Sequence, residues 1–81
     1  MPTVLRVEGY RLYFYSHEPN EPPHIHVDQG GRSVKFWLTP VGVARNLGYT
    51  AGELRQIHRL VESNRQLLLG AWNGYFSGRR G

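Results

Sequence analysis
Apolar and polar positions alternate with a period of two through the first half of the chain and with a helical period through the second. Residues 3–7 and 10–16 are rich in Val, Leu, Tyr and Phe, side chains that suit a pleated, half-buried surface. Glu8-Gly9 between them fits a two-residue hairpin turn. That turn sets Val7 opposite Tyr10, Leu5 opposite Leu12 and Thr3 opposite Phe14. One face then carries Leu5, Val7, Tyr10, Leu12 and Phe14, and the other Val4, Arg6, Arg11, Tyr13 and Tyr15. The first is the core face.

Residues 16–23 read as a polar loop. Beyond it, residues 24–29 and 32–38 flank Gly30-Gly31, a second hairpin signal. A two-residue turn there places Val27 opposite Val34 and Ile25 opposite Phe36, an apolar face. On the reverse, His26 meets Lys35, His24 meets Trp37 and Asp28 meets Ser33. Pro40 ends the fourth strand. Residues 41–48 are ambiguous, because Val41 and Val43 extend a strand pattern while Gly42 and Gly48 interrupt it.

Thr50-Ala51-Gly52-Glu53 is a capping box, with Tyr49 and Leu54 at the hydrophobic-staple positions. Leu54, Ile57, Val61, Leu68, Trp72 and Tyr75 follow at three- and four-residue spacing, the stripe of an amphipathic helix. The spacing predicts a firm helix from Thr50 to about residue 69 and a looser continuation to Phe76, weakened by Gly70 and Gly74. The resulting fold class is α+β: a four-stranded, mainly antiparallel sheet of two β-hairpins, with one long C-terminal helix packed on its apolar face. Residues 1–76 form a single domain, and 77–81 a flexible Gly/Arg tail.

The run Glu21-Pro22-Pro23-His24-Ile25-His26-Val27 carries the candidate chemistry. The two prolines fix an extended lead-in, because proline locks φ and moves the preceding residue out of the helical region. On a strand, Ile25 and Val27 point one way and His24 and His26 the other, about 7 Å apart. The polar face then gathers Arg6, Arg11, Tyr13, Tyr15, His24, His26, Lys35 and Trp37. Arg6 opposite Arg11 is unfavourable across a ladder unless Glu8 or Asp28 lies nearby or an anion binds between them. Aromatic rings interleaved with basic groups on an open sheet resemble a single-stranded nucleic-acid surface. The same rings and cations also suit a half-exposed sheet face, or a face that docks a partner.

Composition narrows the choice. The chain has 81 residues, 40% of them hydrophobic, which is enough for one compact core. Absence of cysteine excludes a disulfide framework, thiolate metal ligation and a cysteine nucleophile. Residues at the start show neither a signal-peptide pattern nor a membrane span, so a cytoplasmic protein that does not engage membranes is expected. Formal charge is +4, from nine arginines and one lysine against six acids. That balance favours anionic partners such as nucleic acid, RNA included, or an acidic protein. Arg79 and Arg80 lie in the Gly-rich tail.

Three readings of the histidine pair follow. As a metal site, His24 and His26 supply two nitrogens and need His17, Glu21 or Asp28 as a third ligand. As a proton-transfer pair they act as base and acid around a phosphodiester, with Lys35, Arg6 or Arg11 stabilising the developing charge. The third reading is structural, with the imidazoles hydrogen-bonded to loop carboxylates such as Glu21. His58 reads as a helix-flank residue. No phosphate-binding loop, dinucleotide fingerprint, His-Glu-x-x-His helix or Gly-x-Ser-x-Gly elbow occurs, so no cofactor is expected.

Met1-Pro2-Thr3-Val4, Tyr13-Phe14-Tyr15-Ser16, the run from Glu21 to Val27, Lys35-Phe36-Trp37-Leu38 and the helix from Leu54 to Trp72 together resemble a small bacterial family, Domain of Unknown Function 4160. The resemblance covers nearly the whole chain, leaving out the Gly-Arg-Arg-Gly tail. Its members are often encoded beside a second small protein, an arrangement similar to toxin–antitoxin pairs. The resemblance thus implies a toxin-side role and a small cognate antitoxin-like partner, and transfers only His24 and His26 as a candidate site.

The leading expectation is a toxin-like domain that acts on or binds RNA or translation components through its polar sheet face. His24, His26 and Lys35 are its candidate catalytic residues; Arg6, Arg11, Tyr13, Tyr15 and Trp37 are its candidate nucleic-acid contacts. If it is an enzyme, it is a metal-independent endoribonuclease using the histidine pair. The alternatives are a non-catalytic protein-interaction module using the same face and a small metal-dependent hydrolase.

Overall fold
In the computed structural model, residues 3–15 and 20–77 are described. Among them are strands β1 (Thr3–Val7), β2 (Tyr10–Tyr13), β3 (His24–Gln29), β4 (Arg32–Leu38) and β5 (Val41–Leu47), then helices α1 (Ala51–Ser63) and α2 (Arg65–Ser77). The strands form one antiparallel sheet in chain order, a meander of consecutive neighbours. The α+β class stands, with one strand more than expected and two helices in place of one.

Both anticipated turns form. Glu8 and Gly9 have φ of 52° and 83°, the left-handed pair that matches the twist of a two-residue hairpin. Val7 pairs with Tyr10 and Leu5 with Leu12, but a bulge at Val4 then shifts the ladder, so Thr3 pairs with Tyr13 and not Phe14. Val4, expected on the far face, packs against the core in consequence. The second hairpin has the anticipated register throughout, from Asp28–Ser33 to His24–Trp37.

The ambiguous segment 41–48 is the fifth strand. It returns along β4 after a tight turn at Thr39-Pro40, whose peptide bond is cis. A second bulge, at Ala44, shifts its register between Lys35 and Phe36. Such an extra residue breaks the period-two signal.

Leu12, Ile25, Val27, Val34 and Phe36 give the sheet a fully buried face, closed by Ile57, Val61 and Leu68 from the helices. Thr50 and Glu53 form the expected reciprocal capping box at the start of α1. The helix stops at Asn64, whose side-chain amide donates to the Leu60 carbonyl at 2.9 Å, while Ser63 Oγ donates to the same oxygen at 3.1 Å. Ser and Asn side chains compete for backbone carbonyls in this way and disfavour a continuous helix. Arg65, just beyond the break, donates from Nε to the Leu38 carbonyl at 2.7 Å and ties α2 to the end of β4. Trp72 then meets Phe14, whose ring also lies against Tyr75 and Phe76. Among the described residues no helix is long and apolar enough to cross a membrane.

Candidate functional site: a groove on the polar sheet face
Cross-strand pairing assembles the site in rows. Thr3, Tyr13, His26, Lys35 and Arg45 are consecutive partners across all five strands, and so share one face. A parallel row runs Arg6, Arg11, Asp28, Ser33 and Leu47. The third contains His24, Trp37 and Gly42. A groove of about 540 Å³ opens over this grid, lined chiefly by Tyr15, Glu21, His26, Lys35, Trp37 and Arg45, with Tyr13 in its lining too.

His26 is at the centre. Its ring stacks on Tyr13, with centroids 5.3 Å apart and planes 22° apart, and meets Tyr15 edge-on at 4.8 Å. Lys35 is paired with Glu21 and sits 4.8 Å above the Trp37 ring, a cation–π arrangement. Arg45 is exposed at the groove's outer wall. The groove thus combines an imidazole, two cations and two half-buried rings, Tyr15 and Trp37.

His24 departs from the expected open face. It is 0% exposed. As the first residue of β3 it lies at the sheet's end, where the Trp72 ring of α2 approaches to 4.7 Å. The Trp37 and His26 rings close two other sides, both perpendicular to it, at 5.9 and 5.2 Å. Its Nδ1 lies 2.9 Å from the Pro22 carbonyl oxygen. A carbonyl only accepts, so Nδ1 carries the proton and donates it there. The Pro-Pro segment therefore fixes the tautomer of the histidine that follows it. His24 stands behind the groove, and His26 lines it.

Tyr13 is also more enclosed than anticipated, at 4% exposure. Its hydroxyl donates to Asp28 Oδ2 at 3.0 Å, and the Arg11 guanidinium covers its ring at 4.5 Å. Burial, with hydrogen bonding to Tyr15 and Asp28, pushes its phenol well above the usual tyrosine range. A ring covered on this scale supports the groove's floor and presents no stacking surface. Arg6 and Arg11 are indeed opposed, and Asp28 stands opposite Arg11 on the next strand. Arg11 further donates from Nε to Thr3 Oγ1 at 2.9 Å. Both arginines lie on the grid but outside the groove.

The alternative metal ligands do not converge. Among the described residues no three His, Asp or Glu side chains form a group that could hold a metal ion. Glu21 is held by Lys35 and Asp28 by Tyr13, while His17 falls outside the described residues. A site of His24, His26 and either Glu21 or Asp28 is therefore not assembled. Arg45 is the groove residue that the sequence pattern does not single out, because the bulge at Ala44 moves it from the face of Val41 and Val43 to the polar face.

The family described as Domain of unknown function (DUF4160) matches residues 9–73, which is most of the chain and includes every groove residue named above. The chain belongs to that family. It matches no curated protein and no solved structure. Within this DUF4160 domain, the Pro-Pro-His-Ile-His-Val run has a definite geometry: Pro22 orients His24, Ile25 and Val27 enter the core, and His26 faces the groove.

Proposed function
We propose that the groove of this DUF4160 domain binds an unpaired segment of RNA, and that the domain acts in a toxin-like manner on RNA or translation components. The observation that carries this reading is the row His26–Lys35–Arg45 beside Tyr15 and Trp37. Two cations one strand apart suit a phosphate, and flanking rings suit a splayed base. About 540 Å³ lies within the 300–1,000 Å³ of small-molecule clefts and accommodates a nucleotide of a single strand.

Within this proposal the roles divide. Lys35 and Arg45 contact phosphate, Trp37 and Tyr15 contact the base, and His26 is the group placed to exchange a proton with a bound phosphodiester. His24 acts as a positioning residue, fixed by Pro22 and backing the His26 ring. A protein-docking role for the same face is the competing outcome.

The test is binding of labelled single-stranded RNA across a range of salt, followed by incubation of that RNA in the presence of chelator. Affinity is expected to fall steeply with salt, and Arg45→Ala to reduce the salt slope by about one, because each phosphate contact releases counterions. Cleavage, where present, is expected to disappear in His26→Ala. Salt-independent binding, or cleavage surviving that substitution, refutes the respective assignment.

A further inference from the structure
Among the described residues the sheet ends at β5, so alternate backbone N–H and C=O groups of that strand face outward without a ladder partner. Among the described residues the strand also carries two of the three exposed large hydrophobic residues, Val43 at 45% and Leu47 at 53%. They lie on opposite faces: Val43 is paired with core residue Phe36, and Leu47 with Ser33 on the polar face. The opposite edge differs, because Val4, Leu5 and Val7 of β1 are half-buried against the core.

A hollow borders each face of β5. On the helix side, Val43, Leu54, Arg55, His58 and Arg59 line a notch of about 380 Å³. On the other side, Arg45 and Leu47 form the outer wall of the polar groove. A strand sends successive side chains to opposite faces. A segment added beside β5 would therefore place alternate side chains in the two hollows.

Charge selects the occupant. Arg45, Arg55 and Arg59 surround the edge, while the nearby carboxylates of Glu21 and Glu53 are engaged by Lys35 and Arg32. Pairing of β5 with a second copy of itself would bring two edges together that each carry Arg45 with Arg55 and Arg59 close by, and like charges in proximity repel. We propose that the β5 edge binds an extended, acidic peptide segment of a partner protein as a sixth strand. Apolar side chains of that segment enter the notch beside Val43 and Leu54, and its acidic side chains face Arg45. Main-chain hydrogen bonds supply affinity and the two hollows supply selection. This inference stands independently of the RNA reading.

The probe is a blocked seven-residue peptide alternating Val and Glu, titrated into isotope-labelled full-length protein and followed by amide NMR and hydrogen exchange. Shifts and slowed exchange are expected at the amides of β5. Arg45→Glu, which reverses the charge facing the segment's acidic side chains, is expected to weaken the peptide about tenfold, the scale of a charge reversal at one contact. A matched Val/Lys peptide is expected not to bind. The proposal is overturned if the Val/Lys peptide binds equally or if shifts centre on His26 and Trp37 without β5. It is also overturned if the β5 amides respond to protein concentration alone, which would identify a second copy as the occupant.

Discussion
The His24 imidazole lies 4.7 Å from the Trp72 ring, centroid to centroid, and this contact ties the polar side of the signature run to the C-terminal helix. Its neighbour two residues on, His26, faces the groove instead. The two histidines therefore separate into a packing role and a surface role. His24→Ala is expected to cost about 2–4 kcal/mol, combining a cavity with an unpaired Pro22 carbonyl. His26→Ala is expected to leave stability within about 1 kcal/mol, since it is half-buried, while lowering RNA binding. Urea unfolding of both variants decides the matter; equal losses of stability would contradict the division.

How much of this was legible beforehand follows from local physics. The second hairpin could be read to the residue, because Gly30-Gly31 pins the turn and His-Ile-His-Val fixes which face is buried. From that register alone His26, Lys35 and Trp37 fell together. The fifth strand was obscured because Gly42 and Gly48 punctuate it and the Ala44 bulge breaks its alternation. Arg45 was lost with it. Periodicity gave His24 the correct side of β3 but could not show that α2 closes over the sheet's end. That closure depends on the break at Ser63-Asn64, a side-chain-to-carbonyl competition that an apolar stripe does not encode.

The Tyr13 phenol gives an alkaline signature. Its proton is held above the usual tyrosine range by burial first, and then by hydrogen bonds to Tyr15 and Asp28. Tyr49 is shifted in the same direction, again mainly by burial. Above the ordinary tyrosine value of about 10 the unfolded chain releases these protons while the folded chain retains them. Stability is therefore full below that pH and declines as pH rises towards the folded value. Tyr13→Phe is expected to flatten the decline and to lose about 1–2 kcal/mol at neutral pH, because Asp28 Oδ2 then lacks its donor. Thermal unfolding between neutral and strongly alkaline pH measures both effects.

Glu53 supplies the acid-side counterpart. Its carboxyl is lowered from the ordinary 4.5 by the Thr50 backbone N–H first, and by the Arg32 guanidinium next. Stabilisation from this group is complete above about pH 4.5 and is lost as pH falls through the lower folded value. Glu53→Gln keeps the geometry of the capping box, since Gln also serves at this position, but removes the titrating charge. The variant is expected to unfold with a shallower acid dependence than the parent. An unchanged acid limb would show that the carboxylate contributes nothing there.

Gly48 connects the end of β5 to the capping box, and its backbone explains why no larger residue suits it. Its φ is +105°, a region that L side chains rarely adopt. A Cβ placed there would also come within 2.9 Å of Arg32 Cγ. The Arg32 stem is constrained at its far end, because the guanidinium pairs with Glu53 and covers the Tyr49 ring at 5.0 Å. Gly48→Ala is therefore expected to cost about 1–3 kcal/mol through backbone strain, plus a smaller part from the contact. A double-mutant cycle separates the two. In an Arg32→Ala background the contact is gone, so Gly48→Ala should cost less, and the remainder is the cost of the left-handed backbone. If the cost is the same in both backgrounds, the Arg32 stem yields freely and the strain is wholly in φ. A neutral Gly48→Ala would show that this turn adopts another conformation in solution.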